Sequence, residues 1–99
     1  MYHVYVLHSP AHNKYYVGQT QDLNLRLKFH NELSKKSYTS KYRPWKLKKS
    51  ISFATRSEAI LAERAIKKRK SKTYITSLIT NEWEVQKLIE KINLLSSAN

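Results

Sequence analysis

Apolar and polar residues change rhythm several times along the 99-residue chain. Tyr2 to His8, Tyr-His-Val-Tyr-Val-Leu-His, is β-branched and aromatic and predicts a strand. Ser9-Pro10-Ala11-His12-Asn13 carries turn chemistry, and Lys14 to Gln19 predicts a second strand. Five turn residues between two strands imply an antiparallel hairpin. Thr20 or Asp22 then caps a helix running to about Leu33, with Leu23, Leu27 and His30 on one face. Residues 34–44 are polar and basic, end in Pro44 and read as a loop. Trp45 to Ala54 predicts a third strand in which Ile51 and Phe53 alternate. Thr55-Arg56-Ser57-Glu58 is a capping box and opens a helix to about Lys70, whose apolar stripe is Ala59, Ala62 and Ile66. Ser71 caps a short helix over Thr73 to Ile79. Asn81 and Glu84 mark a last helix with Trp83, Leu88, Ile92 and Leu95 spaced along it.

The order ββαβααα predicts an α+β domain, a small and largely antiparallel sheet covered by helices. The length fits one domain with one modest core. No apolar run reaches the length of a membrane span, and the first nine residues alternate like a strand rather than a signal peptide. The absence of cysteine excludes disulfides and thiolate zinc sites and fits a cytoplasmic protein. A single glycine excludes the glycine-rich phosphate loops.

Charge narrows the class of partner. Nineteen Lys and Arg against seven Asp and Glu give a formal +12. Fourteen of the nineteen basic residues fall within residues 35–72, where only Glu58 and Glu63 oppose them. Such a band points to a polyanion, most often nucleic acid, against the plainer alternative of a solubilising surface.

Three groups of residues stand out against the patterning. Glu63 falls on the apolar stripe of its helix, where a carboxylate needs a partner or a metal unless its stem lies along the rim. Arg26 and His30 are four apart on the first helix and share a face; they fit phosphate binding or proton relay, or simply decorate a surface. Tyr5 and Tyr16 lie on the hairpin strands, and Tyr16 shares a face with Gly18, a glycine placed to admit a backbone or ligand closely. A buried tyrosine core is the plainer reading of that pair. His3, His8 and His12 have no zinc-site spacing.

In order, His3-Val4-Tyr5, Tyr16-Val17-Gly18, Arg26, His30 and Glu63 resemble the GIY-YIG nuclease superfamily over roughly residues 1–79. The flanking Gln19-Thr20-Gln21-Asp22-Leu23, Lys41-Tyr42-Arg43-Pro44-Trp45 and Ala65-Ile66-Lys67-Lys68 agree with it. His3 replaces the first motif glycine, and valine replaces both motif isoleucines. The nearest likeness is to small single-domain bacterial members. More distant are the excision-repair nuclease, which sets DNA repair among the expected contexts, and intron endonucleases with added domains.

The resemblance implies a three-stranded antiparallel sheet flanked by helices and hydrolysis of DNA phosphodiesters with Mg²⁺ or Mn²⁺. It implies Tyr5 and Tyr16 as the motif tyrosines, Arg26 as the phosphate contact, His30 as an accessory group and Glu63 as the metal ligand. Residues 1–80 are then the nuclease-like domain, and 81–99 a C-terminal helix packed on or extending it. Metal and cations would lower a tyrosine pKa, making Tyr5 or Tyr16 the expected general base, with His30 as the substitute. Lys35, Lys36, Lys41, Arg43, Lys67, Lys68 and Lys70 are the expected DNA-binding residues. With no added recognition domain, low sequence specificity, structure-directed cleavage or a targeting partner protein is expected. The rival reading is a catalytically weak nucleic-acid-binding module of the same fold.

Overall fold

The computed structural model describes residues 1–97, so Ala98 and Asn99, the end of the helix expected over 81–99, lie outside the described residues. β1 (Tyr2–Ser9), β2 (Lys14–Thr20) and β3 (Lys46–Phe53) form one antiparallel sheet in the order β2-β1-β3. The chain is thus an α+β domain with the three-stranded antiparallel sheet the sequence predicted. Ser9, read as a turn residue, is the last residue of β1, and Asn13 closes the hairpin with φ 48°. Asparagine tolerates that left-handed geometry better than most residues.

The central strand has no solvent face, which explains why its apolar residues run together rather than alternate. Side chains of a strand point alternately to opposite faces. Val4 and Val6 therefore enter one core, and Tyr5 and Leu7 enter another. In the first, Val4 pairs across the sheet with Ile51 and Val6 with Val17. That face is covered by α2 (Arg56–Arg69), α3 (Lys72–Thr80) and α4 (Glu82–Ser97). Ala59 and Ala62 are fully buried, and their small side chains let α2 sit close on the sheet. The capping box opens α2 as expected: Thr55 Oγ1 accepts from the Glu58 amide, and the Glu58 carboxylate accepts from the Thr55 amide. On α4 the buried residues are Val85, Leu88 and Ile92. Trp83 and Leu95, also spaced along this helix, are 67% and 45% exposed.

The second core is smaller and holds Tyr5, Leu7 and Trp45, with Tyr16, Leu23, Leu27 and Tyr42 packed on it. Its cover is α1 (Leu23–Lys28), started by the Asp22 carboxylate accepting from the Leu25 amide. The helix extends to Leu33 as the sequence predicts, but Phe29–Leu33 winds as a π-helical turn. Residues 34–44, read as loop, contain a 3₁₀ turn over Tyr38–Tyr42. Trp45 precedes β3 and is buried there, its Nε1–H donating to the Thr39 carbonyl at 2.7 Å. Among the described residues no helix is long and apolar enough to cross a membrane.

Candidate active site

Tyr5 organises the site. It is 2% exposed and lies directly across the β1–β2 ladder from Gly18. A Cβ on residue 18 would stand 2.4 Å from Tyr5 Oη and 2.6 Å from Tyr5 Cζ. The room that Gly18 provides is thus filled by the phenol ring itself, not by a ligand or a backbone.

Two side chains from the α1 segment reach the Tyr5 hydroxyl. Arg26 Nε donates to it at 3.4 Å, and His30 Nε2 is 2.9 Å away. His30 Nδ1 lies 2.7 Å from Thr39 Oγ1, which is 3.0 Å from Ser37 Oγ. A guanidinium only donates, so the Tyr5 oxygen accepts from Arg26 and its single proton is free to go to His30 Nε2. His30 then carries its own proton on Nδ1 and donates to Thr39. The π-helical turn sits where this face of the segment must deliver His30 inward, a common use of such turns.

The electrostatics hold this chain neutral. Burial, helped by the Arg26 and Arg43 charges, pushes the His30 pKa down to about 4. Burial pushes the Tyr5 phenol up to about 12, against the opposing pull of Arg26. Among the protein groups around Tyr5, Arg26 acts downward on its pKa, but desolvation outweighs it.

Tyr16 links this chain to α2. Its ring centroid is 4.9 Å from that of His30 and 6.3 Å from that of Tyr5. Lys67 Nζ lies 5.7 Å from the Tyr16 centroid and pairs with Glu63 Oε2 at 2.6 Å. The Glu63 side chain is 21% exposed, so its stem follows the rim of the stripe and its head has a lysine partner. The Glu63 charge is close enough to contribute to raising Tyr5. Tyr5, Arg26, His30 and Tyr16 thus form one contiguous cluster, and Glu63 joins it through Lys67.

The basic residues divide. Lys35, Lys36, Lys41, Lys67, Lys68 and Lys70 are exposed. Arg43 is not free: its Nε donates to the His30 carbonyl at 2.7 Å, and its Nη2 donates to the Ser34 carbonyl. Thr39 and this use of Arg43 escaped the sequence reading, because nothing in a polar loop marks which residue turns inward. Lys67 and Lys70 line a cleft of about 400 Å³ together with Tyr16 and Tyr38, so two stretches of the basic band meet there.

The profile of the family described as the GIY-YIG catalytic domain matches residues 1–75. The chain belongs to the GIY-YIG family. It is similar to UPF0213 protein YazA of Bacillus subtilis, 41% identical over 66 residues, 64% of this chain and 67% of that protein. It is similar to UPF0213 protein lmo0166 of Listeria monocytogenes, 38% identical over 82 residues, 83% of this chain and 91% of that protein. UPF0213 protein YsiG of Lactococcus lactis is 33% identical over 84 residues, 85% of this chain and 81% of its own. No solved structure matches the chain.

A metal would find one acidic ligand here. Among the described residues no group of three or more His, Cys, Asp or Glu could hold an ion. That excludes an all-protein cage of the zinc or calcium kind from these residues. A single carboxylate on a partly exposed rim does fit Mg²⁺, which keeps several waters and shares its ligands with substrate phosphate.

Proposed function

We propose that this GIY-YIG domain is an endonuclease that hydrolyses DNA phosphodiester bonds with Mg²⁺ or Mn²⁺ held at Glu63. The observation that carries the reading is the cluster of Tyr5, Tyr16, Arg26 and His30, with Glu63 linked to it through Lys67, beside exposed lysines. The bound metal supplies charge neutralisation at the scissile phosphate. Arg26 offers the fixed fork of donors that suits a phosphate oxygen and developing negative charge. The Tyr5 hydroxyl accepts from Arg26 Nε, and Arg26 Cζ lies 4.5 Å from the Phe29 ring centroid. Tyr5, buried with its hydroxyl already engaged by Arg26 and His30, fits a positioning role better than that of the base. Tyr16 is the better base: it lines the open cleft, and its hydroxyl is absent from the hydrogen-bonded chain among the described residues.

The decisive experiment incubates the protein with nicked, branched, single-stranded and duplex DNA, with and without Mg²⁺ or Mn²⁺. Glu63→Gln should abolish cleavage while the fold and DNA binding persist, since it releases Lys67 rather than burying a charge. Cleavage retained in that variant would exclude the proposed site. DNA is the partner in this reading, and a targeting protein is proposed only for choosing the substrate.

A further inference from the structure

The cleft beside Tyr16 has a composition that a plain duplex does not answer. Its floor is aliphatic, from Val17, Ile66 and Ile75. Its walls carry the Tyr15, Tyr16 and Tyr38 rings. Its rim carries Lys67, Lys70 and Lys72. The volume, about 400 Å³, lies near the lower end of small-molecule sites, about 300–1,000 Å³. Tyr38 is half exposed, and its ring is braced by Tyr42 at 4.9 Å between centroids. Among the described residues, of the three lysines only Lys67 is in an ion pair.

A lysine rim attracts phosphates, and every form of DNA offers those. Aromatic and aliphatic walls ask for something else. In a continuous duplex the flat faces of the bases are stacked away, and only groove edges and backbone reach the surface. A base face becomes available when a nucleotide is single-stranded or swung out of the stack. The cleft shares Tyr16 and Lys67 with the proposed active site, so a base seated in it adjoins the bond to be cut.

We propose that this cleft accepts one unstacked nucleobase, making DNA with an unpaired nucleotide the preferred substrate. The inference rests on the nuclease reading for the place of the scissile bond, but not for binding in the cleft. Tyr38 provides the stacking surface, and Lys70 contacts a flanking phosphate.

The test measures anisotropy of four fluorescein-labelled probes in metal-free buffer with the full chain. They are a thymidine single strand, a duplex with one bulged thymidine, the perfect duplex, and an abasic single strand of the same length. The two probes with an unpaired base should bind tightest. Tyr38→Ala should weaken those two by about 5- to 150-fold, the range for one base–aromatic stack. It should leave the perfect duplex and abasic probes unchanged, and Tyr38→Phe should bind like wild type. Lys70→Ala should instead flatten the salt dependence on single strands by about 0.7 per log unit. A loss confined to the bulged probe assigns the cleft to a base everted from a duplex, and a loss on both assigns it to any unpaired nucleotide. Equal wild-type affinity for all four probes, or an equal Tyr38→Ala loss on all four, overturns the proposal. Cleavage of the same probes with Mg²⁺ is scored separately: no cut in any of them refutes the nuclease reading, while the binding pattern alone decides the cleft.

Discussion

Replacing Gly18 with alanine sets two physical effects against each other, and the structure decides between them. Gly18 has no positive φ, so alanine fits its backbone. By the usual entropy argument Gly18→Ala should then stabilise, by about 0.4–1 kcal/mol. The added Cβ, however, falls 2.4 Å from Tyr5 Oη and 2.6 Å from Cζ. Relaxed heavy-atom contacts lie at about 3.5–4.0 Å, so the ring must retreat by roughly 1 Å. It has little freedom to do so, because its hydroxyl is held between His30 at 2.9 Å and Arg26 at 3.4 Å. Overpacking of a core costs about 1–3 kcal/mol, and a lost buried hydrogen bond adds about 1 kcal/mol. The net expectation is destabilisation of about 1–3 kcal/mol, or a Tm lower by roughly 4–20 °C for a domain of this size. Urea unfolding of the single variant gives the sign. The Tyr5→Leu background isolates the cause: with the phenol gone, Gly18→Ala should become neutral or stabilising. A stabilised Gly18→Ala in the wild-type background would refute the tenancy of Tyr5 over Gly18.

Three further outcomes follow from the same geometry. The folded-state pKa of His30 is depressed, to about 4, so the unfolded chain takes up a proton first as pH falls. Unfolding free energy should then drop between about pH 6.5 and pH 4, by roughly 3 kcal/mol in all, and His30→Gln should remove most of that slope in urea titrations. Arg43→Ala should cost about 1–3 kcal/mol by leaving two carbonyls unpaired, whereas Lys35→Ala and Lys36→Ala should stay within about 0.5 kcal/mol by the same denaturation assay. In steady-state cleavage assays Arg26→Lys should lower kcat by about 10²- to 10³-fold with far less effect on DNA affinity, because it keeps the charge and loses the fork.

Local signals in the sequence carried most of the fold. The Thr55–Glu58 capping box, the Asp22 and Ser71 caps and the β-branched run of β1 are short-range features, and each element follows from a few adjacent residues. The exposure of Trp83 and Leu95 was not legible, because large apolar residues at helical spacing look alike whether or not a neighbour covers them. The clustering of Tyr5, Tyr16, Arg26 and His30, with Glu63 linked through Lys67, was legible only through the resemblance to a family, since they come from β1, β2, the α1 segment and α2. The inward hydrogen bonds of Arg43 were not legible, because its two carbonyl acceptors depend on how residues 30–43 fold back. The raised pKa of Tyr5 was not legible either, because burial, which dominates it, is a tertiary property.

The strand order has a consequence for the lysines of β3. With β1 in the centre, β3 ends the sheet, and an unpaired strand edge is a template on which a second chain can add itself. Lys46 and Lys48 stand exposed along that strand, while Lys49 pairs with Glu82 at 3.1 Å. Charged side chains, lysine above all, are how sheets discourage such addition. Part of the +12 charge is therefore placed to guard a sheet edge, whatever else it attracts. Neutralising Lys46 and Lys48 should weaken that guard, so the association state of such a variant has to be measured before any effect on nucleic acid is read.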